Sequence, residues 1–376
     1  MVTASEALAA YERLTEQRTR FVRVDDLCAR ADFLPSKKQL EAEARLALKD
    51  KQGLERAQGE FLAEVLADPG AGAHLCHAML LPHPKSFSFQ AEFAKTGVIE
   101  FPGARLERQG KAALLTMSNP RFLNAEDETT LEGMEIAVDL ALLDPETEVC
   151  VLRGGPVEHP KYAGRRLFGA GINLTHLYQG KIRFLWYLIR DLGFVNKLYR
   201  GIASPDFSPE RTSTEKLWIA AVEGFAIGGH CQVLLTMDYT IAAEDAFLTL
   251  PARKEGIIPG AANLRLPRFV GDRIARQAIL AERRIECASS EGQLICDEIV
   301  PAEGVDEAIE RIVDRLTGSG VVSAAGNRRA FRAGEEPLDA FRRYMAVYAR
   351  EQAGCHLSPA LVANLERNWN AASRRA

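Results

Sequence analysis

Apolar positions in the first 95 residues recur at helical intervals. Leu8, Tyr11 and Leu14 are three apart, and Leu40, Ala44 and Leu48 are four apart, so each set shares one helix face. Ser36, following Pro35, is placed to cap the second helix. Phe61, Leu62 and Val65 form a third stripe, which Asp68-Pro69-Gly70 stops. Polar faces rich in Glu, Lys and Arg flank these stripes. The pattern predicts a helical extension over residues 1–95, suited to packing or oligomerisation rather than catalysis.

From about residue 96 the texture changes. Apolar runs at 112–117, 148–153, 216–222 and 246–250 have strand length and neighbouring turn residues. Between the first two, Leu131, Met134, Val138 and Leu142 share a helix face. Strands alternating with helices imply crossover connections and largely parallel pairing. After residue 300 helical spacing returns, with Ile309, Ile312, Val313 and Leu316, then Leu338, Phe341, Met345 and Tyr348. Ser358-Pro359 opens a last helix bearing Leu361, Leu365 and Trp369, an N-cap followed by proline at the first helical position. The predicted architecture is an α/β core at 96–320, preceded by the helical extension and followed by a C-terminal helical region at 321–376.

Composition narrows the function class. The chain has 376 residues, 47% of them hydrophobic and 26% charged, as in ordinary globular proteins. With 47 basic and 51 acidic side chains, a net charge of −4 gives no reason to expect a nucleic acid or an anionic membrane as partner. No apolar run reaches the ~18 residues of a membrane span, and the start lacks the apolar stretch of a signal peptide. The seven cysteines are scattered without CxxC spacing, so free thiols in a reducing cytoplasm are expected. His74, Cys76, His77 and His83 are close in sequence but match no closed zinc pattern, and no metal site is predicted.

Two glycine-rich turns carry the candidate chemistry: Phe168-Gly169-Ala170-Gly171-Ile172-Asn173-Leu174, and the stretch from Gly224 through Gly228, Gly229, His230 and Cys231 to Gln232. The first lacks the third glycine of a dinucleotide fingerprint, having Leu174 there. Glycines at strand ends also let two backbone N–H groups approach one ligand oxygen. The second turn leads into an apolar helix at 231–237, whose dipole would reinforce such a donor. Either turn alone is equally explained by tight packing.

Together, in order and context, the two turns resemble the crotonase (enoyl-CoA hydratase/isomerase) superfamily. Strand 112–117 followed by Asn119-Pro120-Arg121-Phe122-Leu123-Asn124-Ala125 is similar to that family's first strand and its loop. The 168–174 and 220–230 stretches are similar to its two glycine motifs, and 251–260, ending Gly256-Ile257-Ile258-Pro259-Gly260, to a later proline-glycine segment. The likeness runs over roughly 97–320. It implies the crotonase spiral of ββα units, a coenzyme A thioester ligand, and trimers or dimers of trimers. It also implies that the Ile172 and Gly229 amides hold the thioester oxygen, with Ala170, Gly171, Asn173 and Gly228 shaping the two turns. Arg121, Phe122, Asn124 and Ala125 would lie near the adenine, and Arg165 and Arg166 would meet the phosphates or stay solvated.

The departures matter as much. Where the family's hydratases carry two glutamates, this chain has Gln232 and Ala252, neither of which titrates near neutrality. The carboxylate closing the first glycine motif is replaced by Asn173. The remaining polar candidates are Glu126, His230, Gln232 and Arg190, the last within the apolar segment 184–194. On such a segment an arginine either runs its head out to water, the commoner case, or meets a buried acceptor. With Glu126 and Gln232 it would be able to bind ring hydroxyls.

This combination, with the helical extension and the insert at 157–167, is similar to one oxygen-using branch of the superfamily from glycopeptide-antibiotic biosynthesis. That likeness implies a 3,5-dihydroxyphenylacetyl thioester and O2 as substrates and neither metal nor organic cofactor. The base stays open between Glu126 and His230, and a purely positional role is equally open to either. Thioester hydrolysis, double-bond isomerisation and an inactive CoA-binding scaffold stand as alternatives.

Overall fold

A computed structural model describes residues 2–206, 213–319, 321 and 323–374. Its central sheet has seven strands, in the order Val98–Phe101, Gly103–Gln109, Ala112–Ser118, Val149–Gly154, Leu217–Val222, Tyr239–Ala243 and Glu298–Val300. The first three form an antiparallel meander, and every later pairing is parallel. Val149–Gly154 is buried at all six positions, as a parallel strand covered on both faces must be. The helix Glu128–Leu143 makes the crossover between the third and fourth strands, its entry fixed by an Asp127–Thr130 capping box.

The apolar run at 246–250 belongs elsewhere. Its strand, Phe247–Thr249, lies in a separate three-stranded sheet, parallel to Phe225–Ile227 and antiparallel to Ile285–Glu286. This small sheet positions the second glycine turn.

At the N-terminus the predicted stripes are helices Ala4–Leu14, Lys37–Glu43 and Arg56–Ala67. The second is shorter than the Leu40–Leu48 spacing implies. Glu43 is buried and accepts hydrogen bonds from the Gly53 and Leu54 amides, which draws the chain into a turn. Asp68 ends the third helix and caps the next, Pro69–Leu80. His74, Cys76 and His77 lie on that helix without converging. His74 bonds Tyr11, His77 bonds the Ser204 carbonyl, and the His83 amide donates to Asp139.

One continuous apolar cluster runs from Ala7 through the central sheet to Ala371. The long helix Leu338–His356 lies against Arg56–Ala67 so closely that a Cβ on Gly59 would sit 2.4 Å from that of Ala353. Arg342 reaches back to donate to the carbonyls of Leu66 and Ala67, the orphaned end of that N-terminal helix. In the same way Arg23 pairs with Glu135 at 2.7 Å, tying the N-terminal segment to the crossover helix.

Candidate active site

The two glycine turns meet. Gly169 runs beside Ala226 as a parallel bridge, its N–H donating to Phe225 and its carbonyl accepting from Ile227. One residue further on, the backbones approach closely. A Cβ on Gly171 (φ +76°) would lie 2.8 Å from the Ile227 carbonyl oxygen and 3.2 Å from the Gly229 nitrogen, so only glycine fits. On its other side this turn is held by Glu126, whose amide donates to Gly171 and whose carbonyl accepts from Asn173. Ile172 and Gly229 thus line one cavity. The Ile172 amide has no acceptor among the described residues. Gly229 is the first residue of the helix Gly229–Leu234, so its amide has no partner within that helix.

His230 is fully buried behind these turns. Its Nδ1 accepts from the Gly171 N–H at 2.9 Å, which places the ring proton on Nε2. Burial holds its pKa down to about 4, with Arg190 adding to the effect and Glu126 opposing it. The ring packs where a side chain on Gly169 would have to sit, with a Cβ there only 2.4 Å away. His230 therefore braces the first turn with its one free lone pair already engaged.

The arginine behaves differently from the commoner expectation. Arg190, on helix Phe184–Leu192, is only 2% exposed and does not reach water. All its N–H donors find acceptors. Nε and one terminal nitrogen take the Glu126 carboxylate at 3.0 and 2.8 Å, and that second nitrogen also reaches the Gly229 carbonyl at 2.9 Å. The other terminal nitrogen bonds Asp191 at 2.8 Å and the Gln232 side-chain oxygen. Gln232 closes the ring by donating to Asp191 at 2.9 Å. The guanidinium also lies near the Trp186 and Phe194 rings. Burial opposes its charge, but Glu126 and Asp191 more than offset that and hold it protonated. Burial raises the Asp191 pKa, and Arg190 offsets part of the rise. Asp191 was not among the sequence candidates; only its place beside Arg190 pointed to it.

Other candidates lie at the edge or serve as scaffold. Asn124 is buried, and its amide donates to the Gly155 and Leu167 carbonyls at 2.8 Å each, so it ties the loop together and offers no free group to a nucleotide. Ala125 is buried beside it. Asn173 is similarly engaged, capping the helix Leu174–Tyr178 and donating to Asp127. Arg121 is exposed next to Phe122, and Arg165 is exposed and paired with Asp245 at 2.7 Å. Arg166 is half-buried, with Ala170 nearer the turn.

Two further residues of the cavity were not among the sequence candidates for the site. Tyr348, from the C-terminal helix, and Glu255, at the end of the short helix Ala252–Glu255, both line the cavity. The C-terminal helix also grips the loop beneath them. Gln352 accepts from the Ile258 amide at 2.8 Å, and the Tyr344 hydroxyl donates to the Gly260 carbonyl.

The seven-stranded sheet, the smaller sheet beside it and the paired glycine turns make up a crotonase-type fold. The enoyl-CoA hydratase/isomerase family profile matches residues 107–343, and the chain belongs to that family. It is 47% identical over 349 residues to a (3,5-dihydroxyphenyl)acetyl-CoA 1,2-dioxygenase of Amycolatopsis orientalis, covering 91% of this chain and 80% of that one. A short-chain-enoyl-CoA hydratase of Clostridium acetobutylicum is 25% identical, over 63% of this chain and 83% of its own. The crystal structure of an enoyl-CoA hydratase from Mycobacterium avium subsp. paratuberculosis K-10 superposes with a TM-score of 0.59 at 20% identity, covering 74% of this chain and all of that one.

Proposed function

We propose that this chain is a dioxygenase that converts 3,5-dihydroxyphenylacetyl-CoA and O2 to 3,5-dihydroxyphenylglyoxylate and free CoA. The observation that carries this reading is the 47% identity across 91% of the chain to an enzyme of that name. The site is consistent with it. Gln232 and Ala252 stand where the hydratases place their two glutamates, so water addition lacks its acid and base.

The chemistry follows from the substrate. Its CH2 is acidified by both the ring and the thioester carbonyl. The Ile172 and Gly229 amides stabilise the oxygen of the enolate formed on deprotonation, and such donors are worth roughly 3–4 kcal/mol each. The enolate gives an electron to O2, and recombination forms a peroxide at the same carbon. The peroxide attacks the thioester carbonyl, and collapse breaks the O–O and C–S bonds together with the remaining α C–H bond, whose electron pair becomes the keto C=O while its proton passes to water. Both oxygen atoms enter the product and the thiol leaves, so atoms balance without added water. The electrons come from the substrate itself, so the reaction requires neither metal nor flavin.

The Arg190, Glu126 and Gln232 cluster would receive the ring hydroxyls, exchanging internal hydrogen bonds for bonds to substrate. The cavity is about 30 Å³, so seating an aromatic ring requires its lining side chains to part. Arg121, Phe122, Arg165 and Arg166 would serve the nucleotide end. We further infer a cytoplasmic homotrimer or dimer of trimers working in antibiotic biosynthesis. Turnover under isotopically heavy O2 tests the chemistry. The product carboxylate should carry a heavy oxygen from O2, and label acquired only from water enriched in the heavy oxygen isotope would reject the reading.

A further inference from the structure

Glu255 is the one carboxylate in the cavity that the Arg190 cluster leaves unused. It is 4% exposed, and among the described residues its side chain makes no hydrogen bond or ion pair. It lines the same cavity as Ile172 and Gly229. It also lies three residues beyond Ala252, on the same face of one short helix. A carboxylate is thus missing at 252 and present one turn along. The same cavity is lined by Tyr187, Tyr348, Ile257 and Ile258, together with Arg190 and Asp191. Lys254 points away, onto the Trp369 ring.

We propose that Glu255 is the base that takes the α proton of the thioester. This rests on the arylacetyl thioester reading above. The C–H bond breaks, and its electron pair passes into the enolate whose oxygen the two amides hold. The proton goes to the Glu255 carboxylate, which later returns it to the thiolate sulfur as the C–S bond breaks. Asp191 and Glu126 are tied to Arg190, and the lone pair on His230 is taken, so none of these has the same freedom. Burial pushes the Glu255 pKa up to about 7, with Lys254 acting in the opposite direction, which suits a base working near neutrality.

The test is proton exchange without oxygen. In anaerobic heavy water, the native protein and its Glu255→Gln and Glu255→Asp variants are given 3,5-dihydroxyphenylacetyl-CoA, and deuterium at the α carbon is followed by mass spectrometry. Oxygen uptake is measured in parallel. Glu255→Gln is nearly isosteric with the protonated form and should fold normally by circular dichroism. Exchange and uptake should both fall about 10²–10⁴-fold with KM little changed, while Glu255→Asp retains an intermediate rate. For the native enzyme kcat/KM should rise with pH and level off above about 7. Native-rate exchange in Glu255→Gln overturns the proposal even if the native protein consumes oxygen. Glu255-dependent exchange without any oxygen uptake keeps the base and removes the dioxygenase. No exchange and no uptake by the native protein removes both.

Discussion

Removing the Gly229 N–H is the smallest change that tests the oxyanion site, but position 229 also has steric limits. A Cβ there would lie 2.8 Å from the Glu126 carboxylate and 3.1 Å from Arg190. Gly229→Ala carries that crowding and keeps the donor, whereas Gly229→Pro carries it and loses the donor at a position where proline suits a helix start. Turnover of Gly229→Pro should fall about 10²–10³-fold below that of Gly229→Ala in steady-state assays. His230 makes a second prediction, in pH. Its folded pKa is depressed from 6.5 to about 4, so the neutral ring is favoured by folding. That contribution, on the order of 3 kcal/mol, is complete above pH 6.5 and disappears as pH falls towards about 4. His230→Asn, which offers an oxygen to the Gly171 N–H, should flatten the fall of Tm between these values and keep more activity than His230→Leu. An equally steep fall in His230→Asn would assign the acid sensitivity elsewhere.

At the scale of elements, the site depends on contacts far apart in sequence. Ile258 and Gly260 are held by Gln352 and Tyr344 of Leu338–His356, and that helix rests on Arg56–Ala67 at Gly59. Gly59→Leu should force the two helices apart, destabilising the protein by about 1–3 kcal/mol. It should also lower kcat, as read by thermal melts and rate assays together. Unchanged kcat in folded protein would separate the helix packing from the site. Local pattern made the strands at 112–117, 148–153 and 216–222, the Leu131–Leu142 stripe and the last helix legible, because each records its own periodicity. The run at 246–250 was legible as a strand but not as a member of the smaller sheet, since pairing partners leave no mark on a short apolar run. The convergence of the glycine turns rested on family likeness, because either turn alone also suits simple packing. Arg190 was recognised as a candidate, yet its burial depends on Glu126 and Gln232, 64 and 42 positions away. Glu255 lies within the 251–260 stretch that the family likeness marked, yet nothing in that stretch says that its side chain faces the cavity.

For the whole molecule, the helical extension and the core share apolar packing from Ala7 to Ala371. Deleting residues 1–95 should therefore strip the Leu338–His356 helix of its bed and give aggregated protein, as sedimentation and circular dichroism would show. A soluble, active 96–376 fragment would make the extension a true appendage. For the chemistry, the most direct measurement is oxygen uptake by metal-stripped protein given 3,5-dihydroxyphenylacetyl-CoA, with free thiol assayed in the same cuvette. Oxygen consumed in equal amount to CoA released is the predicted result, and CoA released without oxygen loss would contradict it.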